Sequence, residues 1–360
     1  MSIEFHRLKV AEVRPETDES VSITFDIPED LTGTFVHVPG QHLVIRRELG
    51  GEDLRRSYSI CSAPGEGVRI GVKRIPDGAF STWATTELAP GEILEVMAPI
   101  GEFTVDCRAD QARNLVMVAA GSGITPVLSM ATAVLRDEPG SEVTLLYGNR
   151  NSRSIMFHEE LEALKNRYPE RFRMIHILSR EAHQVPLFEG RIDGEKLRRL
   201  AEALIDVGAV DRWYLCGPLE MVEDLTGTLV DLGVPAERVD SELFFDQRIE
   251  RVPAPSVDQG DLVEMRVTID GRTSVVLVDP AGPPVLDYAR SVRAEVPFAC
   301  KGGMCATCKA VVVEGEVTMA KNYALTDEEL AAGMILTCQS HPVGDGPLIV
   351  SYDVHGGIGR

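Results

Sequence analysis

The chain has 360 residues, 44% of them apolar and 26% charged, a composition typical of a globular protein with two or three domains. The formal net charge of -20 disfavours nucleic acid and an anionic membrane surface as partners, because their phosphates would repel the protein. No stretch approaches the roughly 20 apolar residues of a membrane span, and the start, MSIEFHRLKV, lacks the apolar core of a signal peptide, so we expect a cytoplasmic protein.

Residues 1–108 alternate short apolar runs with Gly and Pro turns. The predicted strands are SVSITFDI, GQHLVIRRE, RRSYSI, VRIGVKRI and EILEVMAP. One predicted helix, FSTWATTEL, interrupts them. Several short strands at close spacing, separated by turn residues, predict a small antiparallel β-barrel, with a β-sandwich as the alternative.

An R-x-Y-S tetrapeptide lies at the end of one predicted strand of this barrel. Its arginine can pair with a pyrophosphate, its tyrosine can stack on a planar cofactor, and its last serine can bond the edge of that cofactor. Taken alone, the tetrapeptide is equally compatible with core packing. The candidate cofactor-binding residues on this and the later VRIGVKRI strand are Arg56, Ser57, Tyr58, Ser59, Val72 and Lys73.

A second motif, G-A-F-S-T, opens the only helix predicted in the barrel. The backbone N–H groups and the positive dipole end of a helix can hold phosphate oxygens. An ordinary serine helix cap is the alternative. Because the two motifs lie some 20 residues apart in one barrel, together they are more specific than either alone. The further cofactor-binding candidates are Gly78, Phe80, Ser81 and Thr82.

Residues 109–245 alternate strands with helices. The predicted strands are LVMVAAG, VTLLYGN, RMIHILS and WYLCGP, and helices are predicted from Pro126, through HEELEALKNRY, through EKLRRLAEAL and from Leu219 to Leu232. This alternation predicts an α/β domain with a parallel sheet, whose ligands bind at the carboxyl ends of the strands.

Two glycine turns should meet at that edge of the sheet. The first strand ends in G-S-G-I-T-P and the last in C-G-P, and glycines let the chain pass close to a nucleotide. The first motif departs from the dinucleotide-binding G-x-G-x-x-G, and a purely structural turn is the alternative. The candidates are Gly121, Gly123, Thr125, Pro126, Cys216 and Gly217.

Ser179 and Arg180 follow the third predicted strand. An arginine fork suits the phosphate that distinguishes NADPH from NADH, so the pair favours NADPH, with NADH possible. A surface pair without a role is the alternative.

The segment 246–262 is polar, contains prolines and lacks an apolar period, so we interpret it as a linker. Beyond it, MRVTIDGRTSVVLV predicts a hairpin with Asp270 and Gly271 at the turn, and VLDYARSVRA predicts a short helix. We therefore expect residues 263–360 to form a third, small α+β domain.

The seven cysteines, in a chain without a secretion signal, favour metal or redox chemistry over disulfides. Cys300, Cys305 and Cys308 form a C-x4-C-x2-C run, and Cys338 follows 30 residues later. This is the plant-type spacing for a 2Fe-2S cluster. A structural zinc site is the alternative, although C-x2-C pairs are more usual there. The remaining three cysteines are interpreted as small buried residues.

In chain order, RSYS, GAFST, GSGITP, YGNR, LCGP and the cysteine run resemble the ferredoxin-NADP reductase family fused to a C-terminal plant-type ferredoxin domain, over nearly the whole chain. The resemblance implies a β-grasp ferredoxin fold for the third domain. It also implies FAD bound by Arg56, Tyr58, Ser59, Gly78 and Ser81, and NAD(P)H bound by Gly121, Thr125, Cys216 and Gly217.

Within that family, CKGGMCATC, NYAL and LTCQ are most similar to the reductase subunits of phenylacetyl-CoA epoxidases, and reductases of ketosteroid hydroxylases share the layout. One point departs from the plant enzymes, which end in a tyrosine stacked on the flavin, because this chain continues through Phe244 and Phe245. The catalytic candidates are Ser59, Cys216 and Glu242. For Glu242 an exposed structural carboxylate is the alternative.

Hydride transfer moves two electrons, a plant-type cluster takes one, and a flavin can do both. We therefore expect an NAD(P)H-dependent oxidoreductase that passes electrons through FAD and the cluster to a partner oxygenase, in particular a di-iron epoxidase. The alternatives are a reductase for another ring or steroid hydroxylase and, from another class, a non-catalytic redox sensor. The excess acidity, which lies mostly before residue 263, serves either solubility or the steering of a basic partner.

Overall fold

The computed structural model describes residues 4–244, 262–269, 271–344 and 346–353, apart from the side chain of Glu52. The predicted linker 246–262 lies outside these residues except for Leu262, as do Phe245 and Asp270. The chain divides into an N-terminal unit, His6–Leu54 with Tyr58–Gln247, and a C-terminal unit, Arg248–Arg360 with Met1–Phe5 and Arg55–Ser57. Among the described residues, none of the helices combines the length and apolar composition that crossing a bilayer requires.

An antiparallel barrel forms the first part of the N-terminal unit, except that Phe5 and Arg55–Ser57 on two of its strands group with the C-terminal unit. Its elements are β1 (Phe5–Thr17), β2 (Ser20–Asp26), β3 (His42–Leu49), β4 (Glu52–Ser59), β5 (Val68–Lys73), α1 (Ala79–Thr86) and β6 (Ile93–Met97). The strand order is β4-β3-β6-β1-β2-β5. An antiparallel bridge between Ile60, just after β4, and Ile70 on β5 joins the two outer strands. The barrel is closed in this way around a core that includes Leu8, Ile23 and Val96.

Within the barrel, β1 is the strand that the sequence did not predict. Only Leu8 and Val10 of its 13 residues are buried, because most of the strand lies at the surface of the barrel. Pro15 and register shifts in its pairing with β2 further weaken the alternating pattern on which a strand prediction depends. The other five strands and the helix of the barrel lie where the sequence predicted them.

The second part of the N-terminal unit is a parallel sheet flanked by helices. Its strands are β7 (Asn114–Ala120), β8 (Glu142–Asn149), β9 (Phe172–Leu178), β10 (Arg212–Gly217) and β11 (Val239–Leu243). Its helices are α2 (Ile124–Asp137), α3 (His158–Arg167), α4 (Gly194–Leu204) and α5 (Leu219–Asp231). α2 begins two residues before Pro126, where the sequence placed its start, and follows a 3₁₀ turn at Gly121–Gly123.

The central strand β7 is buried on both faces. Leu115 and Met117 belong to the core on one side of the sheet, and Val116 and Val118 belong to the core on the other side. This explains the continuous apolar run LVMV, which is typical of a parallel strand covered by helices on both faces. The strand order is β11-β10-β7-β8-β9. From β7 the chain adds β8 and β9 on one side and then β10 and β11 on the other, so the topological switch point lies between β7 and β10. Ligands of such sheets bind at that switch point.

The C-terminal unit is a small α+β domain. Its strands are β12 (Val263–Ile269), β13 (Arg272–Val278), β14 (Lys309–Glu314), β15 (Glu316–Met319), β16 (Met334–Leu336), β17 (Ser340–Val343) and β18 (Leu348–Ser351). Its helices are α6 (Val285–Val292) and α7 (Asp327–Ala331). A mixed sheet in the order β13-β12-β18-β14-β16 packs around Met265, Val267 and Leu336, and β15 pairs with β17. The predicted multidomain fold, a β-barrel followed by an α/β domain and an α+β domain, is confirmed.

Candidate functional site

Tyr58, near the end of β4, is a half-buried aromatic side chain on the barrel. Its ring lies 5.4 Å from that of Phe80 on α1, which in turn packs edge-on against Trp83. Phe80 is 1% exposed and belongs to the barrel core. Phe80 can therefore contribute to ligand binding through its packing against the Tyr58 ring.

The start of α1 is arranged to accept an anion. Gly78 precedes its first residue, and no side chain of the described residues caps the helix. The first N–H groups of an α-helix lack intrahelical partners and attract anions. Ser81 does not cap the helix; its hydroxyl accepts from the N–H of Ile75 and donates to the carbonyl of Gly78, both at 3.2 Å. A Cβ on Gly78 would lie 2.4 Å from the Ser81 Oγ. Thr82 is exposed on the same helix.

Arg56 and Ser57 precede Tyr58 on β4. Arg56 is half-buried and donates to the carbonyl of Arg55 at 2.8 Å. The Ser57 Oγ is buried and has no hydrogen-bond partner among the described residues. An unpaired buried hydroxyl is costly, so it favours a ligand that bonds with it. A polar atom of a bound nucleotide would satisfy this hydroxyl.

Ser59, at the end of β4, meets Glu242 on β11. The serine hydroxyl donates to Glu242 Oε2 at 3.2 Å. The other carboxylate oxygen of Glu242 lies 3.9 Å from Nδ1 of His42 on β3. Glu242 is 19% exposed, so it is not the freely exposed carboxylate that the sequence left as an alternative. Two catalytic candidates that are distant in sequence are thereby brought together.

His42 is a component of this arrangement that sequence reasoning missed. The ring is buried, which lowers its pKa to about 4. It is therefore neutral at pH 7, and its approach to Glu242 is not an ion pair. A histidine within the apolar run HLVI gives no sequence signal beyond that of a core residue.

The G-S-G turn after β7 is tied to the end of β10. A Cβ on Gly123 would lie 2.3 Å from the Cys216 carbonyl oxygen, so this position accepts no side chain without movement. Gly121 has φ +55°, and its carbonyl accepts a hydrogen bond from Tyr147 at 3.0 Å. The two glycine turns predicted to meet at one edge of the sheet do so.

The same turn contacts the barrel. Thr125, buried in the first turn of α2 beside Pro126, donates to the Ser122 carbonyl, and its methyl group would lie 2.6 Å from a Cβ on Gly71 of β5. Lys73, two residues after Gly71 on β5, is half-buried near Gly121. Its pKa is lowered by burial and then by the charge of Arg150. The Val72 side chain is fully buried in the barrel core and is not available to a ligand.

Cys216 is fully buried at the end of β10. Burial, and then the charge of Glu242, raises its pKa well above the usual thiol range, so the thiol stays neutral. The carbonyl of Gly217 accepts from the N–H of Phe244, which is half-buried against the core of the sheet. Phe244 therefore has a fixed position, whereas Phe245 lies outside the described residues.

Ser179 and Arg180 lie beyond the end of β9. Their N–H groups donate to the carbonyls of Asn149 and Arg150 at 2.9 and 2.7 Å, and both side chains are exposed. The backbone bonds fix the position of the turn at the strand ends and leave the guanidinium in solvent.

The four cysteines of the C-terminal unit converge. Gly302 N–H donates to the Cys300 Sγ at 3.3 Å, and Cys300 N–H points at the Cys305 Sγ at 3.5 Å. A hydrogen bond from Cys305 lowers the pKa of Cys300 to about 7. Cys308 and Cys338 are buried beside each other, and the Thr337 hydroxyl donates to the Cys308 carbonyl at 2.9 Å.

The loop that carries three of these thiols has a contorted backbone. Lys301, Gly303 and Ala306 have φ of +52°, +80° and +50°, which are uncommon values for residues other than glycine. A Cβ on Gly303 would approach the Gln339 side chain and the Lys321 carbonyl at 3.1 Å. All seven cysteines are free. The loop thus presents sulfur atoms and N–H donors to one centre, as an iron–sulfur cluster requires.

Family comparison identifies three domains in the chain. Residues 8–105 match the oxidoreductase FAD-binding domain, residues 117–226 the oxidoreductase NAD-binding domain, and residues 267–343 the 2Fe-2S iron-sulfur cluster binding domain. The chain therefore carries domains for FAD, for a nicotinamide nucleotide and for a 2Fe-2S cluster.

Relatives match over the full length. A subunit of the 1,2-phenylacetyl-CoA epoxidase from Escherichia coli K12 is 41% identical over 98% of this chain and 99% of its own. The ferredoxin reductase component of 3-ketosteroid-9-alpha-monooxygenase from Rhodococcus rhodochrous is 32% identical over 94% of both chains. The solved structure of phthalate dioxygenase reductase shares the fold, with a TM-score of 0.55 and 23% identity over 96% of this chain and 98% of that chain.

Proposed function

Because the chain belongs to the family of reductases that combine FAD-binding, NAD-binding and 2Fe-2S domains, we propose that it takes electrons from NAD(P)H and delivers them singly to an oxygenase component. The observation that carries the proposal is the convergence of Cys300, Cys305, Cys308 and Cys338 in a chain that also carries the two nucleotide-binding domains. FAD supplies the exchange between a two-electron hydride and single electrons, and the cluster carries single electrons.

The barrel residues would hold the flavin nucleotide. The Arg56 guanidinium and the uncapped start of α1, at Gly78, suit its phosphates, and Ser57 offers a buried hydroxyl that lacks a protein partner among the described residues. Tyr58 offers a ring face that Phe80 supports. Ser59, at the end of β4, and Lys73, at the end of β5, offer further polar groups.

The strand ends of the α/β part would position the nicotinamide. Gly121 and Gly123 allow close approach of a nucleotide to the backbone, and Thr125 and Gly217 border the same turn. Cys216 contributes a neutral, fully buried thiol, which helps to exclude water from this edge. The hydrogen bond from Ser59 holds the Glu242 carboxylate in one position beside it.

Arg180 supports a preference for NADPH over NADH. Its guanidinium is exposed at the carboxyl edge of the sheet, where its backbone is anchored to Arg150. A free, planar guanidinium suits the 2′-phosphate of NADPH, which NADH lacks.

The proposed partner is a multi-subunit di-iron epoxidase that acts on phenylacetyl-CoA. The support is the 41% identity to a component of the Escherichia coli epoxidase, which exceeds the 32% identity to the ketosteroid monooxygenase component. The second relative nevertheless favours an alternative, in which the chain serves another ring or steroid hydroxylase.

We propose four segments along the chain: FAD-binding barrel 1–108, NAD(P)-binding domain 109–245, linker 246–262 and ferredoxin domain 263–360. We also propose a cytoplasmic location, because reduced nicotinamide nucleotides and cluster thiolates belong in a reducing compartment.

The test begins with the purified full-length protein, which should show flavin and iron–sulfur absorption that both bleach with anaerobic NADPH. Cys338→Ser should abolish cytochrome c reduction and leave ferricyanide reduction, which needs only the flavin. Cys107→Ser, at a cysteine outside the four cluster ligands, should leave both reduction activities unchanged. A colourless protein, or one with iron and sulfide but no flavin, would exclude the proposal.

The partner is tested by NADPH oxidation with and without the other subunits of a phenylacetyl-CoA epoxidase, and in parallel with a ketosteroid hydroxylase. Coupled product formation with the first oxygenase is expected. Coupling with the second alone would favour the alternative partner. Fast steady-state reduction of cytochrome c is expected for a reductase and would exclude a redox sensor without turnover.

A further inference from the structure

A cluster of metal-ligating side chains lies in the α/β part of the N-terminal unit, apart from the residues discussed so far. His158 and Glu162 are one turn apart on α3, and His176 lies on the edge strand β9. One ligand atom from each of the three side chains lies within 4.8 Å of the other two. The two imidazole rings have centroids 5.8 Å apart and are inclined by 66°.

The polar atoms of these side chains have no hydrogen-bond partners among the described residues. Both ring nitrogens of His176 are buried without a hydrogen-bond partner, although a buried polar nitrogen normally has one. The side chains of His158 and Glu162 form no hydrogen bond or ion pair within the part of the chain that the structure describes. A bound cation would satisfy one ring nitrogen and the carboxylate together.

The backbone places the first ligand at the start of its helix. Phe157, the residue before α3, is 1% exposed and has φ +56°, an uncommon value for a bulky residue. This turn makes His158 the first residue of α3, so that it lies one turn before Glu162. His158 is exposed, and Glu162 and His176 are half-buried, so a hydrated ion can enter from solvent.

We propose that His158, Glu162 and His176 bind a divalent transition metal ion of the zinc type. Two imidazoles and one carboxylate are the ligand set of many zinc sites that retain a water molecule in the fourth position. Magnesium and calcium prefer oxygen ligands throughout, so neither should compete. The site would cross-link α3 to the edge strand β9.

The test is calorimetric titration of ZnCl₂ into the untagged holoprotein, with the flavin and cluster absorption monitored so that zinc binding to cluster thiols is detected. One equivalent should bind, and excess MgCl₂ should not displace it. Loss of a partner outside the coordination shell weakens metal sites by about tenfold to hundredfold. His158→Gln and Glu162→Gln, which remove ligands, should therefore weaken binding by at least about tenfold.

Glu159→Gln is the matched control, because Glu159 is an exposed carboxylate on the first turn of the same helix and outside the cluster. It should bind zinc as the wild-type protein does. Glu162→Gln is nearly isosteric and keeps the test decisive should His158→Gln lose its cofactors. Absence of binding, undiminished binding in Glu162→Gln, or an equal loss in Glu159→Gln would overturn the proposal.

Discussion

Ser59 and Glu242 are separated by 183 residues in sequence, and their hydrogen bond is made only when β11 is in place beside β10. Each residue could be singled out from the sequence, but the bond between them could not, because it depends on where two parts of the N-terminal unit meet. His42 was missed for the same reason. His42 belongs to the site because it lies close to Glu242 in the folded chain. A tertiary contact of this kind gives no signal in the local amino-acid sequence.

Glu242→Gln is expected to slow flavin reduction by NADPH by about tenfold to hundredfold, since a misplacement of about 1 Å can cost that much. The amide cannot provide the negative charge that the Ser59 hydroxyl now bonds. Stopped-flow flavin bleaching measures the rate. Ser241→Ala, an exposed neighbour on β11, should leave it unchanged, and an equal rate in both variants would remove Glu242 from the site.

Arg180→Ala is expected to raise the KM for NADPH by about tenfold or more, because a charge-assisted hydrogen bond contributes about 1.5–3 kcal/mol. The KM for NADH should stay constant, since NADH has no 2′-phosphate. Steady-state assays with both nucleotides measure the two values. A parallel rise for NADPH and NADH would show that Arg180 does not read this phosphate.

His42 should make the N-terminal unit sensitive to acid. Its pKa is about 4 in the folded protein and about 6.5 when unfolded, so between these values the unfolded chain binds more protons. The free energy of unfolding should therefore fall as the pH falls from about 6.5 to 4, by about 3 kcal/mol from this residue.

Urea unfolding followed at pH 5 and pH 7 measures this contribution. His42→Gln removes the titrating ring and should show a smaller difference between the two pH values than the wild-type protein. His183→Gln, at an exposed histidine, should keep the full difference. Equal pH dependence in all three proteins would contradict the assignment to His42.

At the scale of elements, strands and helices with a strong apolar period were predictable. β7 and β8 were predicted as buried strands, because a strand that is buried on both faces requires a continuous apolar run. β11 was not predicted, since none of its five residues is fully buried. It exists through parallel pairing with β10, and that pairing is a tertiary interaction. The early start of α2 likewise depends on the 3₁₀ turn before it.

The junction of β7, α2 and β10 yields a prediction about two glycines. Gly123→Ala places a methyl group 2.3 Å from the Cys216 carbonyl oxygen and should lower stability by about 1–3 kcal/mol through overpacking. Gly227→Ala, on an exposed position of α5 with open space around it, should raise stability by about 1 kcal/mol. Denaturant titration of the two variants measures opposite shifts in the unfolding midpoint.

The Gly123 variant should also bind NADPH more weakly, because the two glycine turns must separate to admit the methyl group. The Gly227 variant should bind it normally. Destabilisation by both substitutions, or by neither, would show that the close packing of the two turns is not what requires glycine at position 123.

The order of the three domains was predictable because each has a distinct sequence pattern. Short alternating strands come first, strands alternating with helices follow, and a hairpin with a cysteine motif comes last. The cluster ligands were predictable because three lie within nine residues and the fourth has a family spacing. The metal-ligating group of His158, Glu162 and His176 was not, since it joins a helix to the strand that follows it without a recognised spacing.

The net charge of -20 permits a last prediction, which concerns electron delivery. Cytochrome c is a basic acceptor, and attraction by the acidic surface should raise its rate of encounter at low salt. Raising the ionic strength from 0.01 to 0.15 M shortens the screening length from about 30 to about 8 Å, so kcat/KM for cytochrome c should fall by about tenfold or more. Ferricyanide, an anion, should instead react faster as salt rises, because screening relieves its repulsion. Steady-state assays across this range separate the two cases; if both acceptors respond alike, the acidity serves solubility and does not steer a basic partner.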